Sequence, residues 1–495
     1  MTETTSRPVR TRFAPSPTGY LHIGGARTAL LNYLFAQHSG GQFILRIEDT
    51  DQARLVEDAL ETQMNAMKWL GIVWDEGPGV GGEYGPYIQS ERLELYQKWA
   101  NWLVNEGKAY RCYCTADRLK QVNEEKKARK EQLGYDRHCR NLSADEITAN
   151  EGKPYVIRFA MPLDKQIVVH DRVRGEIVFE NATLSDTVLL KSDGFPTYHL
   201  AVIVDDHFME ISHVMRSDEW IPSLGLHQNL YEAFGWDAPE WVHLPVMLSP
   251  TGGKMSKRKP PKDDKGNLIP IMVHEYRESG YLPEALVNFL TNIGYNFGDD
   301  REIFSVQETI NRFTLDRINN TGAKFPMKKL IWLNGEYIRE QIGDKELADA
   351  LRDPLENSGL TVEQEILEQI VPLVRVRLKT LNEITDMAGF FFHEEFLPPT
   401  VEMLIPKKMD AESARTMFQA AYDVLQGMDD FRTEATYAAM AELVAERGLK
   451  NGQVFGGLRV AVTGQKVSPP TFETMEVLGK DVSLQRISQA IDILG

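Results

Sequence analysis

This 495-residue sequence predicts an α/β, Rossmann-like N-terminal half, interrupted by an α+β insertion and followed by an all-helical C-terminal half. Three observations carry that reading. The first ninety residues alternate between strand-like and helix-like apolar runs. The alternation breaks at Gly77-Pro-Gly-Val-Gly-Gly82 and resumes near residue 200. From Leu282 onward the apolar spacing is helical, and turn signals at strand intervals are scarce.

Taken in order, residues 9–13 read as a strand and 24–39 as a helix with Ala29, Leu30, Leu34 and Phe35 on its apolar face. Gly40-Gly41 ends that helix, and 43–47 is a second short strand. A strand–helix–strand of this length implies a right-handed parallel crossover. Residues 54–70 form an amphipathic helix stopped at Gly71. Within the insertion, a helix over 91–106 precedes a cysteine-containing segment, a charged stretch at 117–133, and strands at 156–160 and 167–169. Strand-like runs resume at 200–204 and 211–215, with a helix over 221–234 and a strand at 242–248, as the second half of the same sheet. A loop over 260–267 leads to helices at 283–291, 306–312, 326–339, 345–351, 362–388, 411–425 and 433–447. No internal repeat or low-complexity segment is present.

Composition narrows the class. With 42% hydrophobic residues the chain can fill several cores, and its apolar stretches near 201–204 and 242–248 are far too short to span a membrane. The polar start carries no secretory signal, and three cysteines between 112 and 139 do not make a disulfide framework, so a cytoplasmic protein is expected. A net charge of −17 excludes a general polyanion binder but not RNA binding by a local basic surface. Lys126-Lys-Ala-Arg-Lys130, residues 254–262, residues 324–329 and Lys407-Lys408 are candidate surfaces of that kind, or solvated faces.

Two segments point to chemistry. Arg12-Phe-Ala-Pro-Ser-Pro-Thr-Gly-Tyr-Leu-His-Ile-Gly-Gly25 reads as a strand end, a proline-rigidified turn and a helix opening on small residues, which offers backbone N–H groups to an anion. Gly253-Lys-Met-Ser-Lys-Arg258 sets three cations around a hydroxyl in a glycine-introduced loop, suited to phosphates that move during a reaction. Together they resemble the two signatures of class I aminoacyl-tRNA synthetases, His-Ile-Gly-His and Lys-Met-Ser-Lys-Ser. Arg46-Ile-Glu-Asp-Thr-Asp51 and Leu190-Lys-Ser-Asp-Gly-Phe-Pro-Thr-Tyr-His199 narrow the resemblance to the bacterial glutamyl-tRNA synthetases. The chain departs from the class pattern at Gly25, where a second histidine would stand, and at Arg258, as glutamyl-type sequences commonly do.

That resemblance implies ATP-dependent activation of glutamate, with magnesium accompanying ATP, and transfer to tRNA(Glu) by a monomer. It divides the chain into catalytic halves at 1–90 and 196–250, an acceptor-stem-binding insertion at 91–195, a signature-loop and stem-contact region at 251–330, and a helical anticodon-binding domain at 331–495. It places Thr18, His22, Gly24, Gly25, Lys254, Ser256 and Lys257 at ATP, with His22, Lys254 and Lys257 acting in catalysis. Arg12, Ala14, Ser16, Glu48, Tyr198 and Arg216 would form the glutamate site. The residue types suit those tasks. Arginine can grip a carboxylate through two parallel hydrogen bonds, and Glu48 follows a strand end, where ligands of open α/β sheets sit. No general base is needed, because the substrate carboxylate is already a nucleophile.

Several residues keep a plainer alternative. His22 could simply cap the helix, and Asp49 and Asp51 are expected to cap the helix that follows. Arg377, in a segment 374–378 expected to open a long helix, resembles the family residue that reads the third anticodon base, or else pairs with Glu383. Cys112, Cys114 and Cys139 invite a zinc site, but Asn141 stands where the resemblance wants a histidine and His138 directly precedes the cysteine. Reduced cysteines and no assigned metal are therefore expected. A non-ligase tRNA-binding paralogue and a glutaminyl-tRNA synthetase remain the rival readings.

Overall fold

The chain threads two parallel β–α–β units into one layer. In this computed structural model the described residues are 7–250, 252–253, 255, 260–263, 266, 268–393 and 396–495. They form two compact units, Met1–Tyr276 with Leu286–Met327, and Arg277–Ala285 with Lys328–Gly495.

In the first unit, β1 (Arg10–Phe13), α1 (Ile23–His38) and β2 (Gln42–Leu45) make the expected crossover, with Arg12 opposite Ile44 in parallel register. Helices α2 (Ala59–Trp69) and α3 (Leu93–Asn105) lead into the insertion. There β3 (Ala109–Cys112), α4 (Ala116–Ala128), α5 (Ala144–Thr148) and β4 (Val156–Phe159) precede a hairpin, β5 (Gln166–Asp171) and β6 (Gly175–Glu180), and then β7 (Val188–Leu190). Strands β3, β4 and β7 form an antiparallel sheet of their own. The hairpin does not join it. Asp171 pairs with Trp241 of β9 (Glu240–Leu244), which pairs in turn with β8 (His213–Ser217), so the strand read with the insertion completes the second sheet instead, in the order β6-β5-β9-β8.

That second sheet is a parallel unit of β8 (His213–Ser217), α7 (Ile221–Phe234) and β9 (Glu240–Leu244). It meets the first through Ser212, whose N–H donates to Arg10 O at 3.0 Å and whose hydroxyl accepts from Arg10 N at 2.7 Å. The expected strand at 242–248 is split by Pro245, beyond which β10 (Met247–Leu248) pairs with β11 (Ala323–Lys324).

The run expected as a strand at 200–204 is a helix. α6 spans Tyr198–Phe208, and every residue from Leu200 to Asp206 in it is buried. A fully buried helix carries an unbroken apolar run, which periodicity alone cannot tell from a buried strand. Its apolar side chains pack with Ile44, Val214, Leu224 and Trp241 in the unit's main core.

This core encloses charge. Arg46 is fully buried and donates to Asp206 at 2.7 Å and Glu48 at 3.1 Å, with Asp205 at 3.6 Å. Asp206 also accepts from Arg12 at 3.1 and 3.3 Å, and Asp205 from Arg92 at 2.8 Å, Gln89 at 2.9 Å and Tyr96. Three guanidinium groups thus face three carboxylates, contributed by strand β1 (Arg12), the exit of β2 (Arg46, Glu48), the turn before α3 (Arg92) and helix α6 (Asp205, Asp206).

Small helices α8 (Val273–Glu278), α9 (Pro283–Asn292) and α10 (Val306–Arg312) precede the helical second unit. It contains α11 (Met327–Glu336), α12 (Asp344–Asn357), α13 (Gln364–Val374), α14 (Glu383–Ala388), α15 (Val401–Leu404) and α16 (Ala411–Gln426). It ends with α17 (Thr433–Glu446), α18 (Asn451–Thr463), α19 (Thr471–Leu478) and α20 (Lys480–Leu494), the last three beyond the expected set. The single helix expected over 362–388 is broken at 375–382. There Lys379 N and Thr380 N donate to the Glu383 carboxylate at 2.7 and 3.4 Å, and Leu381 N donates to Gly280 O at 2.8 Å, so these amides leave the helical ladder.

Removing one anion from the buried network leaves cations unpaired. Asp205→Ala is expected to destabilise the first unit by about 3–5 kcal/mol in denaturant unfolding, against a few tenths for an exposed carboxylate such as Asp51. Equal effects at both positions would contradict the network's structural role.

Candidate active site

The turn between β1 and α1 is held at both ends. Glu48 N donates to Pro15 O at 3.0 Å, and Gln63 Nε2 on α2 donates to Gly19 O at 2.5 Å and Ser16 O at 3.2 Å. His22 then caps α1, its Nδ1 accepting from Gly24 N at 3.0 Å. With Nδ1 an acceptor, the neutral ring carries its proton on Nε2. A side chain at Gly24 would bring its Cβ to 3.3 Å from His22 Nδ1, so the cap and the glycine are coupled.

Above this turn lies a cavity of about 1170 Å³. Arg12, Ala14, Ser16, His22, Gly24, Gly25, Glu48, Tyr198 and Arg216 all line it, so residues scattered over two hundred positions converge on one wall. Thr18 does not; its N–H closes the turn on Ser16 O at 2.8 Å. Lys254, Ser256 and Lys257 lie outside the described residues, while Met255 between them is buried and lines the cavity.

The wall is electrostatically divided. Arg12 spends two donors on Asp206. Burial would raise the Asp206 pKa, but Arg12 and Arg46 more than offset it and hold the carboxyl below its usual range. Glu48 goes the other way, because burial outweighs Arg46 and Arg12 and raises its pKa. Arg216 and Arg27 stand apart. Among the described residues neither has a carboxylate within ion-pair distance, although both are more than nine-tenths buried. Arg27 donates only to the carbonyls of Ile293 and Pro245, each at 3.0 Å, and burial lowers it to about 10. Arg216 donates to His243 Nε2 at 3.0 Å, His227 Nδ1 at 3.1 Å and Tyr198 OH at 3.2 Å, while its buried Nη2 has no partner among the described residues. A buried donor on an uncompensated cation at a cavity wall is a seat for an anion.

A family model described as tRNA synthetases class I (E and Q), catalytic domain, matches residues 8–332, and an anticodon binding domain model matches 346–491. A glutamate–tRNA ligase of Dehalococcoides mccartyi (strain CBDB1) is 46% identical over 490 residues, covering 98% of this chain and 97% of its own. One from Treponema denticola is 42% identical, covering 98% and 99%. This chain belongs to the class I glutamate–tRNA ligases. Its fold also matches a crystal structure of a glutamate tRNA ligase from Elizabethkingia meningosepticum in complex with its amino acid, with a TM-score of 0.89, 38% identity and coverage of 99% and 100%. The chain is therefore an aminoacyl-tRNA ligase with ATP, glutamate and tRNA as substrates, and its helical C-terminal half includes an anticodon-binding domain.

Some ligase residues read from sequence have different partners from those expected. Asp49 accepts from Ser90 N at 2.8 Å, and Asp51 meets Arg54 at 3.7 Å on the surface, so neither carboxylate caps α2, whose N-cap is Asp58. Arg377 lies past the end of α13 rather than opening a helix, is exposed, and donates to Ser468 O rather than to Glu383. His227, His243 and Asp171 escaped the sequence reading altogether. Each is an isolated residue of its kind on α7, β9 and β5, and only the fold brings them behind Arg216.

The three cysteines do converge. Their sulfurs lie within 4.8 Å of one another, and Tyr135 OH stands 3.3 Å from Cys112 Sγ, 3.9 Å from Cys114 Sγ and 2.8 Å from Cys139 N. His138 is exposed and outside the cluster. Burial and the Cys139 thiol push Cys114 up to about 12. Tyr135, four residues before Cys139, places its hydroxyl against all three cysteines, where the sequence points only to Asn141.

Burial and then the Arg216 charge lower His199 from 6.5 to about 4, and lower its neighbour His227 well below the ordinary range. The unfolded chain takes up a proton on His199 near pH 6.5, whereas the fold admits one only near 4. Stability is therefore full above that interval and falls as pH drops through it. Thermal unfolding between pH 7 and pH 4.5 is expected to fall less steeply in His199→Gln than in the parent; identical slopes would contradict this.

Proposed function

We propose that the chain joins glutamate to ATP as glutamyl-adenylate and then passes the glutamyl group to the terminal adenosine of tRNA(Glu), acting as a monomer in the cytoplasm where both partners reside. The observation that carries this reading is the unpartnered, buried Nη2 of Arg216 at the cavity wall. Its guanidinium and the Tyr198 hydroxyl receive the side-chain carboxylate of glutamate. A neutral amide there would leave the buried charge unmet, which selects against glutamine.

Glu48 takes the substrate ammonium. Ala14 and Ser16, in the pinned turn, and Arg12, on the adjoining strand, border the α-carboxylate. That carboxylate attacks the α-phosphorus of ATP, one P–O bond forms, and pyrophosphate leaves with the electron pair of the broken bond. The His22 Nε2–H and the backbone at Gly24 and Gly25 meet the phosphates, Lys254 and Lys257 neutralise charge that builds on them and Ser256 donates a hydrogen bond, Mg²⁺ arriving with ATP. In the second step a ribose hydroxyl of the terminal adenosine attacks the acyl carbon, the bond from that carbon to the phosphate oxygen breaks, and AMP leaves with the hydroxyl proton passing to its phosphate. Thr18 acts by holding the turn. Arg377, exposed at the end of α13, is assigned to the third anticodon base.

A structural zinc ion would be held by the thiolates of Cys112, Cys114 and Cys139 with the Tyr135 oxygen as the fourth donor, the right number for a tetrahedral shell that ties the insertion together. Metal analysis of protein purified without chelator is expected to give one zinc per chain, reduced in Cys139→Ser. A value near zero in the parent would contradict that assignment.

With labelled glutamate and tRNA(Glu), the purified chain is expected to form glutamyl-tRNA. Arg216→Gln should narrow the glutamate-to-glutamine specificity ratio by about a hundredfold, the scale of losing a two-pronged charge-assisted pair. An unchanged ratio would show that another cation selects the substrate.

A further inference from the structure

We propose that His227 and His243 are positioning residues for glutamate selection: two neutral imidazoles with fixed tautomers grip Arg216 from behind and hold its free edge toward the substrate. The inference rests on the assignment of Arg216 to the side-chain carboxylate.

A guanidinium restricts what may touch it. It has five donors and no acceptor, so any ring nitrogen it touches must offer a lone pair. Arg216 Nε touches His243 Nε2 at 3.0 Å, and Arg216 Nη1 touches His227 Nδ1 at 3.1 Å. Each neutral ring then carries its proton on the opposite nitrogen. For His243 that is Nδ1, which lies 2.7 Å from Asp171 Oδ2. For His227 it is Nε2, which lies 3.0 Å from His199 Nδ1 and donates to it. One donor-only group thus sets the direction of every hydrogen bond from Asp171 to His199.

The outer end of this chain is anchored to backbone. Asp171 accepts from His243 N at 3.0 Å and from Val173 N and Arg174 N at 3.0 and 2.8 Å, in the turn joining β5 to β6. His227 and His243 have no exposed surface, and the Arg216 guanidinium lies over the Trp241 ring at 5.3 Å. Neither histidine lines the cavity. Both act on the substrate only through Arg216.

Neutral acceptors do here what a carboxylate could not. Arg12, on the same wall, is paired with Asp206, and its charge is cancelled inside the protein. A carboxylate behind Arg216 would fix its orientation equally well but would compete electrostatically with the incoming glutamate. Imidazoles orient the fork and leave a full positive charge for the ligand. The pair accordingly supports discrimination by charge, which is what separates glutamate from glutamine.

The test is steady-state charging of tRNA by the full chain with glutamate and with glutamine. It compares His227→Leu, His243→Leu, the acceptor-retaining His227→Asn and His243→Gln, and Arg216→Gln. Each leucine variant is expected to raise the glutamate KM by about tenfold with kcat altered much less, since the contact serves ground and transition states alike. The asparagine and glutamine variants should recover most of that loss. If Arg216→Gln raises KM but the leucine variants do not, the grip by the histidines is overturned while the Arg216 assignment stands. If Arg216→Gln also has no effect, the assignment itself fails. A second measurement serves if a leucine variant does not fold: ¹⁵N-histidine NMR of the unmodified chain at pH 7 should find His243 protonated at Nδ1 and His227 at Nε2, and any other form overturns the proposal.

Discussion

A fully buried arginine must be met by anions, and Arg46 organises this active site because three carboxylates converge on it. Those anions come from the exit of β2 and from α6, so the ion pairs tie the first β–α–β unit to the helix that carries Tyr198. They also fix Arg12 and Glu48 at one rim of the cavity. Burying so many charges is costly, and replacing them all with apolar side chains could leave stability no worse. Geometry supplies a reason for keeping them. The Arg12–Asp206 and Arg46–Glu48 pairs set the directions of two side chains that line the cavity.

The same residue type serves two ends in this wall. Arg12, Arg46 and Arg92 are balanced by Glu48, Asp205 and Asp206, leaving that region neutral. Arg216 and Arg27 are the two buried cations that line the cavity without an ion-pair partner among the described residues. A protein that must bind an acidic amino acid and a polyphosphate thus leaves two buried positive charges facing the cavity where those anions go. The chain as a whole, at a net charge of −17, carries the opposite sign.

Legibility from sequence followed the range of each interaction. The turn and cap at Pro15–His22 depend on neighbours a few residues away, and the motif announced them. Period also sufficed for β1, α1, β2 and α7, each within a residue or two. It failed for α6, where burial on all sides erases the apolar–polar alternation, and at 375–382, where Glu383 and Gly280 capture amides that a continuous helix would have used. The histidines behind Arg216 and Tyr135 beside the cysteines are single residues without a local pattern. Their meaning lies in contacts made across the fold, such as the 72 residues separating Asp171 from His243. Resemblance to a family could carry over the residues that touch substrate, but not those that hold such residues in place.

The central claim is that the unpaired edge of Arg216 receives the substrate's side-chain carboxylate. A crystal structure of the chain with glutamate and a non-hydrolysable ATP analogue tests it most directly. The account predicts a carboxylate oxygen within hydrogen-bond distance of Arg216 Nη2 and a second near Tyr198 OH, with the Arg46–Asp206–Arg12 bonds unchanged. A side-chain carboxylate seated on another cation, with Arg216 still bonded only to His227, His243 and Tyr198, would contradict it.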